Sequence, residues 1–171
     1  MAHRVLLGAL LIGVGARAED RFGRHGQVVP FGSIAFQHSG GNGTDFNSVA
    51  LFPGALWFAA DNFALGGSVG YAHSWGGIVS TGHLLTVSPQ VGVALPLVDR
   101  AALFPRFGLD FLTFWNGGSS TSMAIRVFAP VLFFPVPHFF IGFGPQFEVI
   151  AGGNSAGQWL TGALSEIGGY F

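Results

Sequence analysis

The chain has 171 residues, the length of one domain, and half of them are apolar while only 9% are charged, against about 25% in an ordinary water-soluble domain. Seven Arg, eight acids and no Lys give a net charge of -1. That leaves no basic footprint for nucleic acid, and the lack of Cys excludes disulfides, thiol nucleophiles and cysteine-bound metal.

Residues 1–18 combine a short basic start (His3, Arg4), an apolar stretch 5–14 and the small triplet Ala16-Arg17-Ala18, the layout of a secretory signal peptide. The apolar stretch is about half of the roughly 20 residues that a spanning helix needs. Cleavage after Ala18 would leave five Arg against eight acids, a net charge of -3. Residues 19–26 read as a short, flexible lead-in. The most apolar later window, 125–143, contains Arg126, Pro130, Pro135, Pro137 and His138, and prolines so placed break any helix. The 28 Gly, 19 Phe and 9 Pro of the chain favour strands over long helices.

Eight extended segments follow, at 27–38, 46–59, 63–75, 82–95, 101–115, 121–134, 138–151 and 158–171. Each is long enough to cross a bilayer as a tilted strand, which takes about 9 to 11 residues. Their connections alternate. Tight ones carry Asp, Asn or Pro (60–62, 96–100, 135–137), and looser ones are rich in Gly, Ser, Asn and Thr (39–45, 76–81, 116–120, 152–157). Short periplasmic turns alternate with looser outer loops in up-and-down membrane barrels, and an even strand count puts both termini on the periplasmic side.

Period-two faces support that reading. In 101–115 the odd row is Leu103, Pro105, Phe107, Leu109, Phe111, Thr113 and Trp115, while Arg106 and Asp110 both fall on the even row. In 121–134 Met123, Ile125, Val127, Val131 and Phe133 oppose Ser122, Ala124 and Arg126; in 138–151 Phe139, Ile141, Phe143 and Phe147 oppose Gln146 and Glu148. The uncharged face is bulky and the charged face small, the inverse of a soluble barrel. The rows of 27–38 are mixed, and the outward row of the last segment (Trp159, Thr161, Ala163, Ser165, Ile167, Gly169) is thin. The expected fold is all-β: an eight-stranded antiparallel up-and-down transmembrane barrel over 27–171.

The signal-like start, the meander over the whole remaining length and the terminal Phe171 give the chain its resemblance to the small eight-stranded outer-membrane barrels of the OmpA membrane-domain and OmpX type. The stretch 53–67 (PGALWFAADNFALGG) looks like a strand-turn-strand unit of such barrels. The resemblance implies location in the bacterial outer membrane, with outer-membrane lipid and the barrel-assembly machinery as partners, and Phe171 as part of the assembly signal. The aromatic that often stands two residues before that Phe is here Gly169, with Tyr170 adjoining the terminus.

The lumen of so small a barrel is just wide enough to be filled by side chains. Arg106 and Glu166 fall at one depth, and Asp110, Arg126, Gln146 and Glu148 at another. The expectation is a cross-lumen pair Arg106–Glu166, with Arg126 bridging Asp110 and Glu148, because unpaired buried ions are costly. Trp57, Trp75, Trp115 and Trp159 are expected at the membrane interfaces, together with His73 and His83. A lipid-modifying enzyme would need His, Ser and an acid to converge. The candidates His38–Ser39, His73–Ser74, His83 and Asp45 include two adjacent His-Ser pairs, whose members point to opposite faces of a strand. His38, His73 and His83 have no fixed ligand spacing, so no metal and no cofactor are expected. The functional expectation is a monomeric, non-enzymatic envelope protein with a plugged lumen. A narrow passive channel for small solutes comes second, and an outer-leaflet lipid-modifying enzyme third.

Overall fold

The computed structural model describes residues 21–41, 44–76, 81–153 and 156–171, without the side chains of 35, 37–41 and 44–46. The expected signal at 1–18 lies outside these residues. Among the described residues eleven strands are formed: β1 (Val28–Gly41), β2 (Thr44–Ala60), β3 (Phe63–Gly76), β4 (Gly82–Val93), β5 (Leu95–Val98), β6 (Ala101–Leu103), β7 (Arg106–Trp115), β8 (Ser119–Phe128), β9 (Val131–Val136), β10 (Phe139–Gly152) and β11 (Trp159–Gly169). They make eight barrel strands, because β4 continues into β5, β6 into β7 and β8 into β9 with the inward and outward rows unchanged.

The breaks have a common cause. Prolines cannot donate to the ladder, and around them the bonding is carried by carbonyls. Val93 N donates to Pro105 O (3.0 Å), Phe104 N to Pro130 O (2.9 Å) and Ala129 N to Pro145 O (3.1 Å). The breaks thus fall in register on neighbouring strands.

All pairings are antiparallel. β11 pairs with both β10 and β1, which closes the barrel. The closing ladder is short: Phe31↔Gly168 and Gly32↔Ile167, supplemented by reciprocal backbone bonds between Val28 and Phe171 (2.8 and 3.1 Å). Tight turns at Asp61-Asn62, Asp99-Arg100 and Pro137-His138 lie at the same end as residues 21–27 and Phe171, the turn end. Asn62 and His138 adopt positive φ, 63° and 64°, a conformation that Asn tolerates well. Two of these turns are shorter than the sequence suggests. Residues 96–98 and 135–136 extend the strands, since Pro at a short edge of the sheet leaves no needed donor unpaired.

Among the described residues the exterior is dominated by apolar side chains. Val69, Val87, Phe107, Phe111, Val127, Phe133, Ile141, Phe143 and Phe147 all expose between 43% and 63% of their surface. The buried cluster lies in the lumen at the turn end: Val29, Leu56, Phe58, Ala64, Ala94, Ala102, Phe104, Leu132, Phe140 and Tyr170, with Phe22. Bulk on the outside and charge within is the pattern of a wall that faces lipid.

Candidate functional site: the lumen

The lumen has two levels of different chemistry. At the turn end residues 21–27 fold back into the barrel mouth. Gly23 N and Arg24 N donate to Gln27 Oε1 (2.9 and 3.1 Å), and Gln27 Nε2 donates to the Arg21 carbonyl (3.1 Å). Gly26 N donates to Phe58 O (2.8 Å), Asn62 N to Gly23 O (2.6 Å) and His25 N to Asp61 Oδ1 (2.9 Å). Gly23 and Gly26 have φ of 99° and 90°, values that a residue with a Cβ resists. The two bends deliver Phe22 to the axis. Its ring meets Phe58, Phe104, Phe134, Phe140 and Tyr170 at centroid distances of 5.3–6.2 Å, mostly edge-to-face, the geometry aromatic quadrupoles favour. This segment is therefore an ordered strap rather than the flexible lead-in that the sequence suggests.

Just above it, Arg106 on β7 reaches across the lumen to Glu166 on β11, with Nη2 2.5 Å from Oε2 and both side chains almost wholly buried. The guanidinium is also boxed by the rings of Phe31, Phe104 and Phe128, 4.6–5.4 Å from their centroids. Cation–π attraction strengthens in such dry surroundings. Among the described residues Arg106 Nε and Glu166 Oε1 have no hydrogen-bond partner, so the pair is bound at one corner only. Phe31 faces inward to cover Arg106, while Ile34 and Phe36 face outward, which explains the mixed rows of the first strand.

At mid-height Arg126 pairs with Asp110 (Nη2 to Oδ1, 3.2 Å). The second arm of the expected bridge is absent: Arg126 donates instead to Ser88 Oγ (2.7 Å), and Glu148 makes no ion pair with it, although the two are register partners. Ser88 donates to Asp110 Oδ1, and Gln90 Nε2 donates to Ser68 Oγ (2.8 Å), extending the network across β3, β4, β7 and β8. Gln146 Nε2 donates to Glu148 Oε2 (3.4 Å). Ser68, Ser88 and Gln90 were legible only as small polar residues on the inward row. Nothing in the sequence assigned Phe22 or Gln27; the flanking Gly23 and Gly26 were the available signal.

The four tryptophans point outward, Trp57 by the turn end and Trp75, Trp115 and Trp159 by the loop end. Phe171 is 69% exposed, whereas Tyr170 is buried in the mouth. His73 and Ser74 lie on opposite rows of β3, and His83 points outward. The side chains of His38, Ser39 and Asp45 lie outside the described residues.

Among solved structures, Neisserial surface protein A (NspA) matches with a TM-score of 0.55 at 17% identity, over 85% of this chain and 97% of that one. The chain has the fold of the eight-stranded outer-membrane barrels. The N-terminal β-barrel domain of Pseudomonas aeruginosa OprF gives a TM-score of 0.50 at 16% identity, over 84% of this chain and 97% of that one. No family model and no curated protein matches the sequence. At such identities the likeness is one of fold, and an outer-membrane barrel fold serves several functions.

Proposed function

We propose that this protein is a monomeric, non-enzymatic barrel of the bacterial outer membrane with a structural role in the envelope and a lumen closed to solutes. The observation that carries the reading is Phe22 at the centre of five aromatic rings in the turn-end mouth, backed one layer higher by the buried Arg106–Glu166 pair. Residues 1–18 act as a cleaved export signal. The turn end is periplasmic, and the exposed Phe171 ring just past the last strand is offered to the assembly machinery during insertion. The tryptophans anchor the two interfaces, where amphipathic rings are favoured.

Planar-bilayer recording tests closure. The barrel, shown to be folded by its mobility shift between unboiled and boiled SDS gels, gives no steady current steps above the empty bilayer. Reproducible single-channel steps from wild-type protein would overturn the plug. They would favour the second reading, a narrow solute channel, which draws support from the loop-end half: among the described residues, a Cβ added at inward-facing Gly162 would meet nothing within 4 Å.

A further inference from the structure

Two histidines that play no part in the lumen stand side by side on the outer wall. His73 on β3 and His83 on β4 are direct register partners, with ring centroids 4.7 Å apart and Nδ1 atoms 3.3 Å apart. The Tyr71 hydroxyl lies 2.8 Å from the same His83 Nδ1, and Trp75 stacks on the His73 ring at 5.4 Å. His73 is ten residues beyond the start of β3, about the full length of a crossing strand. The pair therefore sits at the loop-end interface, where water and ions reach it, and both rings are partly exposed.

The hydrogen bonding of this cluster is over-subscribed. An imidazole nitrogen carries either one proton or one lone pair, yet His83 Nδ1 faces two polar atoms. The shorter contact, to Tyr71, satisfies it. His73 Nδ1 is then left against an already engaged nitrogen, either with a lone pair that repels or with a proton shared at long range. A cation between the two nitrogens removes the conflict, since each ring then gives its lone pair to the ion.

We propose that His73 and His83 form a zinc site, with both Nδ1 atoms as ligands and water completing the tetrahedron. Zn–N bonds of about 2.0–2.1 Å at a tetrahedral angle place two nitrogens about 3.3–3.4 Å apart, which the observed 3.3 Å meets without movement of either strand. Square-planar coordination at similar bond length wants about 2.9 Å between neighbouring nitrogens, so the spacing favours zinc over copper(II). Tyr71, released from His83, is placed to bond a zinc-bound water. The proposal departs from the expectation from sequence that the barrel holds no metal, because cross-strand register supplies the ligand spacing that the linear sequence lacks.

The test is calorimetric titration of zinc chloride into the full-length mature barrel, folded in detergent and free of chelators. One zinc is expected per barrel, with imidazole scattering from two rings in the zinc X-ray absorption spectrum. His73→Ala and His83→Ala should each lower the affinity at least about tenfold, the scale on which losing support for a metal ligand is felt. His138→Ala, altered at the turn end, should leave it unchanged. The gel mobility shift establishes that each variant is folded. Binding that survives both single substitutions, or no binding by wild type at millimolar zinc, would overturn the assignment. Loss of binding in Tyr71→Phe as large as in the histidine variants would overturn the two-nitrogen site in favour of one ligated by the phenol.

Discussion

The two halves of this barrel solve the problem of a small lumen differently. The turn-end half is filled: a strap, six packed aromatic rings and a buried ion pair leave most side chains there under 7% exposed. The loop-end half is lined by Ala72 and Ser74 on one side and by Gly162 on the other. Leu160, inward by parity, is still 63% exposed, and the paired register of β1 with β11 stops at Gly32. Stability is thus concentrated at one end, and substitutions should report which end they touch.

The largest effect is expected at the ion pair. Arg106→Ala strands Glu166 as a buried, unpaired carboxylate, which costs about 3–5 kcal/mol, whereas replacing both members with apolar residues of similar volume restores most of the loss. Urea titration of the barrel in lipid vesicles measures both. If Arg106→Ala cost no more than about 1 kcal/mol, water would have to reach Glu166 and the turn-end half would not be the dry plug described. Phe22→Ala removes the hub of the aromatic cluster and should cost about 3–5 kcal/mol. It should also produce current steps that wild type lacks, because the ring is what occupies the axis. A stable, equally silent Phe22→Ala barrel would shift the seal to Arg106 and Glu166.

A pair of glycines on the same strand sharpens the contrast. A Cβ at Gly168 would press on the Phe140 ring and the Pro30 carbonyl, while one at Gly162 would meet nothing within 4 Å among the described residues. Gly168→Ala should cost about 1–3 kcal/mol from overpacking, and Gly162→Ala should stay within about 0.5 kcal/mol of wild type. Equal costs for the two would mean that the loop-end half packs as tightly as the turn end.

The fold was legible because a lipid-facing wall writes itself at period two: Arg106, Asp110, Arg126, Glu148 and Glu166 all fall on the inward rows that the alternation picks out. Depth was legible as well, since Arg106 and Glu166 lie at matching distances from their turns and do meet. The strap was not, because Phe22 stands among Arg21, Gly23, Arg24, His25 and Gly26. A lone aromatic in a polar run has no period from which to read a destination. Val98 and Val136 were hidden differently, since Pro near a strand end reads as a turn until the pairing is seen to tolerate it.

Arg126 shows where alternation runs out. It fixes that the side chain enters the lumen but not toward which neighbouring strand it leans. Asp110 and Glu148 stand on opposite flanks, on β7 and β10, and the guanidinium has gone to the Asp110 side, where the Ser88 hydroxyl offers a further acceptor. The smallest of the expected effects follows from that choice. Glu148→Gln removes a carboxylate that is only half-buried and has Gln146 as its hydrogen-bond donor, so stability should change by no more than about 0.5 kcal/mol. Asp110→Asn, at a buried site that receives both Arg126 and Ser88, should cost about 1.5–3 kcal/mol, the range of a hydrogen bond to a charged group. Were the two costs found equal by the same urea titration, Arg126 would be shared between both acids in the bilayer. The polar level would then be a bridge across β7, β8 and β10 instead of a network leaning toward β4.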